Sequence, residues 1–138
     1  IRDLKDPTKT MSKVDETGKG VICLTDTADE ARKKIMSAAT ESFGDVQYDF
    51  QERPGISNLL DMLKLFGGNA DEFIGNNQYG ALKTAVADKV GAFLNDFQSR
   101  LANVNQESVD GKLAACESLM NQQANQTLLK VQQAVGLR

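Results

Sequence analysis

Between Asp6 and Gly20 the chain carries Lys9, Lys13 and Lys19, with few apolar side chains among them. Asp6-Pro7 is a turn signal, and Gly18 and Gly20 close the segment. A polar loop bearing ammonium groups suits a polyphosphate. It can fold over the phosphates and neutralise charge that builds on a departing pyrophosphate. The same pattern also describes a solvated charged loop with no ligand.

Other chemistries are excluded by residue type. The chain has no histidine, which removes Ser-His, Cys-His and His-metal sites within it. Cys23 and Cys116 lie far apart and form no metal-spaced pair. They read as free, buried thiols in a reducing compartment, with a disulfide the lesser alternative. No Gly-rich strand-to-helix phosphate motif is present. No apolar run approaches the roughly 18 residues a membrane span needs. The formal charge is -3, which does not favour a nucleic-acid partner, although local basic patches can still hold backbone phosphates.

The elements that must position the loop are helical by period. At 138 residues the chain is long enough to bury one core. Val21-Ile22-Cys23-Leu24 reads as a short extended run that delivers the loop to the helices. Thr27-Ala28-Asp29-Glu30 is a capping box, which predicts a helix to about Thr40 with Ala28, Ala31, Ile35 and Ala38 inward. Arg32-Lys33-Lys34 is a basic cluster on that helix. It is either a solvated face or a phosphate contact. Residues 41–53 read as a connecting loop pinned by Val46, Tyr48 and Phe50.

Pro54-Gly55 opens a second helix whose stripe is Ile56, Leu59, Leu60 and Leu63, continued by Phe66 and ended by Gly67-Gly68. Asn69 caps a short helix through Ile74. A long helix is predicted over 79–104, with Leu82, Val86, Val90, Phe93, Phe97, Leu101 and Val104 as its core stripe. Asn105 is the N-cap of a last helix striped by Val109, Leu113, Cys116, Met120, Ala124, Leu128, Val131 and Val135. The last two stripes are expected to pack antiparallel. The outer face of the last helix is rich in Gln and Asn. The fold class is therefore all-α, a bundle of about four to five helices preceded by an extended loop.

Met11-Ser12-Lys13, with Asp6-Pro7-Thr8-Lys9 before it and Asp15 after it, resembles the Lys-Met-Ser-Lys-Ser signature loop of class I aminoacyl-tRNA synthetases. Tyr48-Asp49 and Arg53-Pro54-Gly55-Ile56-Ser57-Asn58-Leu59-Leu60 resemble the segment that follows this loop in tryptophanyl-tRNA synthetases of bacterial type. The stretch 35–42 and the terminal Ala134-Val135-Gly136-Leu137 fit the same family in register.

That resemblance implies a C-terminal fragment of an aminoacyl-tRNA ligase that activates tryptophan with ATP and Mg2+ and charges tRNA(Trp). Residues 1–24 would supply the signature segment, and residues 25–138 a helical, anticodon-binding-type domain. Lys13 matches the second lysine of the signature, which assists adenylate formation. Thr10, Met11, Ser12, Lys13 and Val14 would contact ATP. Thr10 replaces the usual first lysine and Val14 the final serine, so a cation and a hydroxyl are lost. The family further implies a cytoplasmic enzyme, a homodimer at full length, a missing N-terminal catalytic domain, no metal site of its own and an inactive fragment. The alternative from a different class is a non-catalytic helical domain that binds a protein partner. Its support is the acidic balance and the amide-rich last helix.

Overall fold

The computed structural model describes residues 1–12 and 17–137. The described residues are all-α: α1 (Ala28–Met36), α2 (Pro54–Leu65), α3 (Tyr79–Ala102) and α4 (Gln106–Ala134), with a 3₁₀ turn at Asp71–Phe73 between α2 and α3. Their one β feature is an isolated antiparallel bridge between Arg2 and Thr10. The chain divides into two compact units, Ile1–Ser99 and Arg100–Arg138.

Helix α1 starts where the capping box places it. The Thr27 hydroxyl accepts from the Glu30 amide at 3.2 Å, and the Glu30 carboxylate accepts from the Thr27 amide at 2.8 Å. These contacts hold the Glu30 carboxyl below the usual carboxylate range. Ala31, Ile35 and Ala38 are buried as their spacing requires. The helix ends at Met36, short of the expected Thr40, because Ser37 already has a non-helical backbone and serves as the C-cap.

Helix α2 forms the centre of the first unit. Gly55 through Leu60, Met62 and Leu63 are all buried. A helix this apolar must be covered on more than one face. It stops in a left-handed glycine cap: Gly67 has φ +73°, the Gly67 amide donates to the Lys64 carbonyl, and the Gly68 amide donates to the Leu63 carbonyl.

The stripe on α3 differs from its sequence reading. The buried residues are Leu82, Val86, Ala87, Val90, Gly91 and Leu94. Phe93 is 41 % exposed, and Leu101 and Val104 are more than half exposed. Apolar spacing of three or four tolerates two neighbouring faces. Small residues at 87 and 91 select the one actually used. A Cβ on Gly91 would meet the Ala28 Cβ at 3.3 Å, so α1 and α3 approach closely there. Phe93 instead joins a ring cluster with Phe66 at 5.1 Å and Phe97 at 6.3 Å.

In the second unit, α4 is capped by Asn105, whose side chain accepts from the Ser108 amide at 2.6 Å. The burial expected of its stripe is not observed: no residue of α4 is buried, and Leu113, Met120, Leu128, Val131 and Val135 are all more than half exposed. Cys116 is exposed for the same reason. Cys23 is also exposed, in the turn before α1, where its amide donates to the Asp26 carboxylate at 2.9 Å. Both thiols are free, as expected, but neither is buried.

The start of α2 is the tightest point of the first unit. A Cβ on Gly55 would overlap the Ala39 carbonyl oxygen, a backbone atom that cannot rotate away. Gly55→Ala should therefore destabilise the chain by about 1–3 kcal/mol. Denaturant unfolding with an unchanged slope would check this.

Candidate functional site

The N-terminal segment is built on a closed base. The Asp3 amide donates to the Lys9 carbonyl at 3.0 Å, and the Met11 amide to the Ile1 carbonyl at 3.4 Å. Together with the Arg2–Thr10 bridge these bonds fold residues 1–11 back on themselves. The turn comes at Asp6-Pro7, where the Lys9 amide donates to the Asp6 carbonyl at 2.9 Å. Proline at the second turn position fixes the φ such a turn needs.

Two strands of contact tie this base to the helices. The Leu4 amide donates to the Gly20 carbonyl at 2.9 Å, and the Leu4 carbonyl accepts from the Ala39 amide at 2.7 Å. Leu4 itself is 2 % exposed, within the core. On the other side, Asn58 of α2 uses its whole amide. Its oxygen accepts from the Arg2 amide at 2.8 Å, and its nitrogen donates to the Arg2 carbonyl at 3.1 Å. Asn58 thus pairs with Arg2 much as a neighbouring strand would. Buried at 2 % exposure, it has both polar atoms satisfied.

Thr10, Met11 and Ser12 leave this base in sequence. Thr10 is exposed, and its backbone is fixed by the bridge to Arg2. Met11 is half-buried against the core, beside Met62 and Phe66 in a small apolar cavity. That contact anchors the segment to the core. Ser12 is exposed. Lys13 and Val14 lie outside the described residues.

The lysines of the segment differ in their surroundings. Lys9 is ion-paired to Asp6 at 2.8 Å, and Asp6 also accepts from the Thr8 amide and hydroxyl. The Lys9 and Thr8 contacts hold the Asp6 carboxyl below its usual range, and the same pair raises the Lys9 ammonium. Lys9 is thereby engaged with Asp6. Lys19 is exposed.

The basic cluster on α1 is largely neutralised. Arg32 pairs with Asp88 at 2.7 Å, and Lys34 with Asp26 at 2.6 Å. Only Lys33 of the three shows no such pair among the described residues.

Four contributors escaped the sequence reading. Glu41 accepts from the Gly55 and Ile56 amides at 2.7 and 3.2 Å, capping α2 from outside. Asn58 stands as a polar residue inside an apolar run, a signal that could have pointed to it. Lys5 and Lys83 both donate to main-chain carbonyls at the end of α1: Lys5 to Ser37, and Lys83 to Ala38 at 2.8 Å and Met36 at 3.4 Å. Nothing in local spacing announces a contact between residues so far apart.

Comparison with known proteins decides the family. The family model described as tRNA synthetases class I (W and Y) matches residues 1–103. The chain belongs to that family. A tryptophan-tRNA ligase of Listeria innocua is 39 % identical over 99 % of the chain, and one of Malacoplasma penetrans is 38 % identical over the same share. A tryptophan-tRNA ligase of Bacillus subtilis is 35 % identical, again over 99 %. The crystal structure of a tryptophanyl-tRNA synthetase from Mycoplasma pneumoniae superposes with a TM-score of 0.87 at 28 % identity, covering 100 % of this chain and 44 % of that one. The chain spans about 43 % of the length of the Listeria innocua relative.

The chain should lose order in its N-terminal segment when the Asn58 amide is removed. Asn58→Ala leaves the Arg2 amide and carbonyl without that partner. It should cost about 1–3 kcal/mol and speed amide hydrogen exchange over residues 2–11 more than in α3. Equal acceleration in both places would instead indicate global unfolding.

Proposed function

We propose that this chain is the C-terminal part of a tryptophan-tRNA ligase. The observation that carries this reading is the match to tryptophan-tRNA ligases along 99 % of the chain at 35 to 39 % identity. The intact enzyme then takes tryptophan, ATP with Mg2+ and tRNA(Trp). It works as a homodimer in the cytoplasm, with a catalytic domain N-terminal to the residues described here. Residues 1–24 contribute the signature segment, and residues 25–138 the tRNA-binding helical part. On its own the chain does not catalyse, because the amino-acid pocket belongs to the rest of the enzyme.

In the reaction the tryptophan carboxylate attacks the α-phosphorus of ATP. The bond to the bridging oxygen breaks, and pyrophosphate leaves with the negative charge. The ammonium of Lys13 offsets that charge as it moves outward. Thr10, Met11, Ser12 and Val14 complete the ATP contacts of the segment. The hydroxyls of Thr10 and Ser12 are the uncharged donors, Met11 is the anchor, and Val14 contributes packing alone. The Arg2–Thr10 bridge and the half-buried Met11 support this reading, since they fix the point at which the segment leaves the core.

A second reading has one observation in its favour. The apolar stripe of α4 is exposed, which suits a non-catalytic helical domain that docks on a protein.

ATP–pyrophosphate exchange by the intact ligase, with tryptophan and then tyrosine, separates the two. Exchange with tryptophan alone is the expected result. Exchange with tyrosine alone would move the chain to the other branch of its family, and exchange with neither would favour the docking domain. In the active enzyme Lys13→Ala should lower the exchange rate by about 10²–10³-fold, the scale of losing one transition-state donor, with tRNA affinity retained. An unchanged rate would take Lys13 out of the mechanism.

A further inference from the structure

Two ammonium groups converge at the end of α1. Lys5 leaves the base of the signature segment, and Lys83 leaves the first turns of α3. They reach three successive carbonyls, those of Met36, Ser37 and Ala38. Each ammonium has three protons to donate. Lys5 places one on a carbonyl and is otherwise exposed, and Lys83 places two. Protons therefore remain on both.

Among the described residues neither lysine has a carboxylate within ion-pair distance. That sets them apart from Lys9, Arg32, Lys34 and Arg53, each of which pairs with an aspartate. Partial burial, and then the nearby Lys5 charge, lower the Lys83 ammonium from its ordinary range. Two like charges held together by main-chain carbonyls are partly offset by the negative end of α1. They are not neutralised by it, and an anion placed between them would be.

We propose that Lys5 and Lys83 together form a binding site for a phosphate group, carried by the backbone of the RNA substrate. The inference rests on the ligase reading above. Phosphodiester contacts need point charges at fixed positions and no base recognition, which is what a lysine pair pinned to main-chain carbonyls supplies. The site stands directly against the strap made by Leu4 and Ala39 at the base of the signature segment. A phosphate bound there would hold the RNA against that base. The polyphosphate of ATP offers the same chemistry and is the other possible carrier.

The test uses the intact ligase and tRNA(Trp), with binding followed over a series of salt concentrations. Lys5→Met, which alters an exposed side chain, and the double variant with Lys83→Met are compared with wild type. Losing one phosphate contact should lower the slope of log affinity against log salt by about 0.7–0.9. Lys5→Arg and Lys83→Arg, which retain the charge, should keep the wild-type slope. ATP–pyrophosphate exchange should be unchanged in all of them.

A rise in the KM for ATP with an unaltered salt slope would assign the phosphate to the nucleotide and overturn the RNA assignment. An unaltered slope together with an unaltered KM would remove the site altogether. Failure of the wild-type ligase to exchange with tryptophan is a separate result. It would overturn the function itself, and this inference with it.

Discussion

Helix α2 begins without a cap of its own. Arg53, its N-cap residue, offers no side-chain acceptor, and Pro54 at the first position removes one amide that would otherwise need a partner. The amides of Gly55 and Ile56 remain, and they point into the protein. Glu41 arrives from the preceding loop and accepts from both. A carboxylate in that place satisfies two orphan donors and meets the positive end of the helix dipole. Buried amides left unmet there would cost roughly 1–3 kcal/mol each, so the loop before α2 has to pass where it does.

The rest of the first unit is arranged around that helix start. Gly55 lacks the Cβ that would strike the Ala39 carbonyl, so the chain leaving α1 can cross close to α2. The Ser57 hydroxyl accepts from the Asp49 amide at 2.9 Å, and Asn58 holds Arg2. The largely buried Arg53 side chain pairs with Asp45 at 2.7 Å and lies over the Phe43 ring at 4.6 Å. A run of six residues thus fixes the loop before it, the end of α1 and the N-terminal segment. The apolar residues of the same helix pack the core, so positioning and stability come from one element. The N-terminal segment inherits its place from polar contacts that are buried and satisfied, which makes that place specific.

Much of this was legible in the sequence because it is local. The Thr27 and Glu30 capping box, the Pro54 start, the Gly67 stop and the Asn105 cap each depend on residues within one turn of one another. The three-to-four spacing of apolar residues found α2 and α3 for the same reason. What escaped was set by distance or by competition between faces. Glu41 and Gly55, Arg2 and Asn58, and Lys83 and the α1 carbonyls meet only once the chain has folded. On α3 the spacing admitted both Phe93 and Leu94, and the close packing of Gly91 against Ala28 of α1 selected the face that buries Leu94. On α4 the periodic stripe is present but is not buried, which shows that periodicity reports amphipathic character and not the existence of a partner surface. Lys13, the residue proposed to offset the pyrophosphate charge, was legible only through the motif around it.

The formal charge of -3 gives a poor account of what this surface can bind. Aspartates are placed where they cancel particular cations: Asp6 on Lys9, Asp26 on Lys34, Asp45 on Arg53 and Asp88 on Arg32. These pairs fix a turn, the approach to α1, the start of α2 and the contact of α1 with α3. The two exposed pairs, Asp6 with Lys9 and Asp88 with Arg32, contribute little to stability, since water and salt screen them. Their larger effect is on what is left. Cations consumed in structural pairs are less available to an anionic ligand, which leaves positions such as Lys5 and Lys83, whose partners are carbonyls. A net acidic chain can therefore present a local, positively charged contact beside its signature segment. The relevant quantity is the placement of each carboxylate and not the sum of the charges.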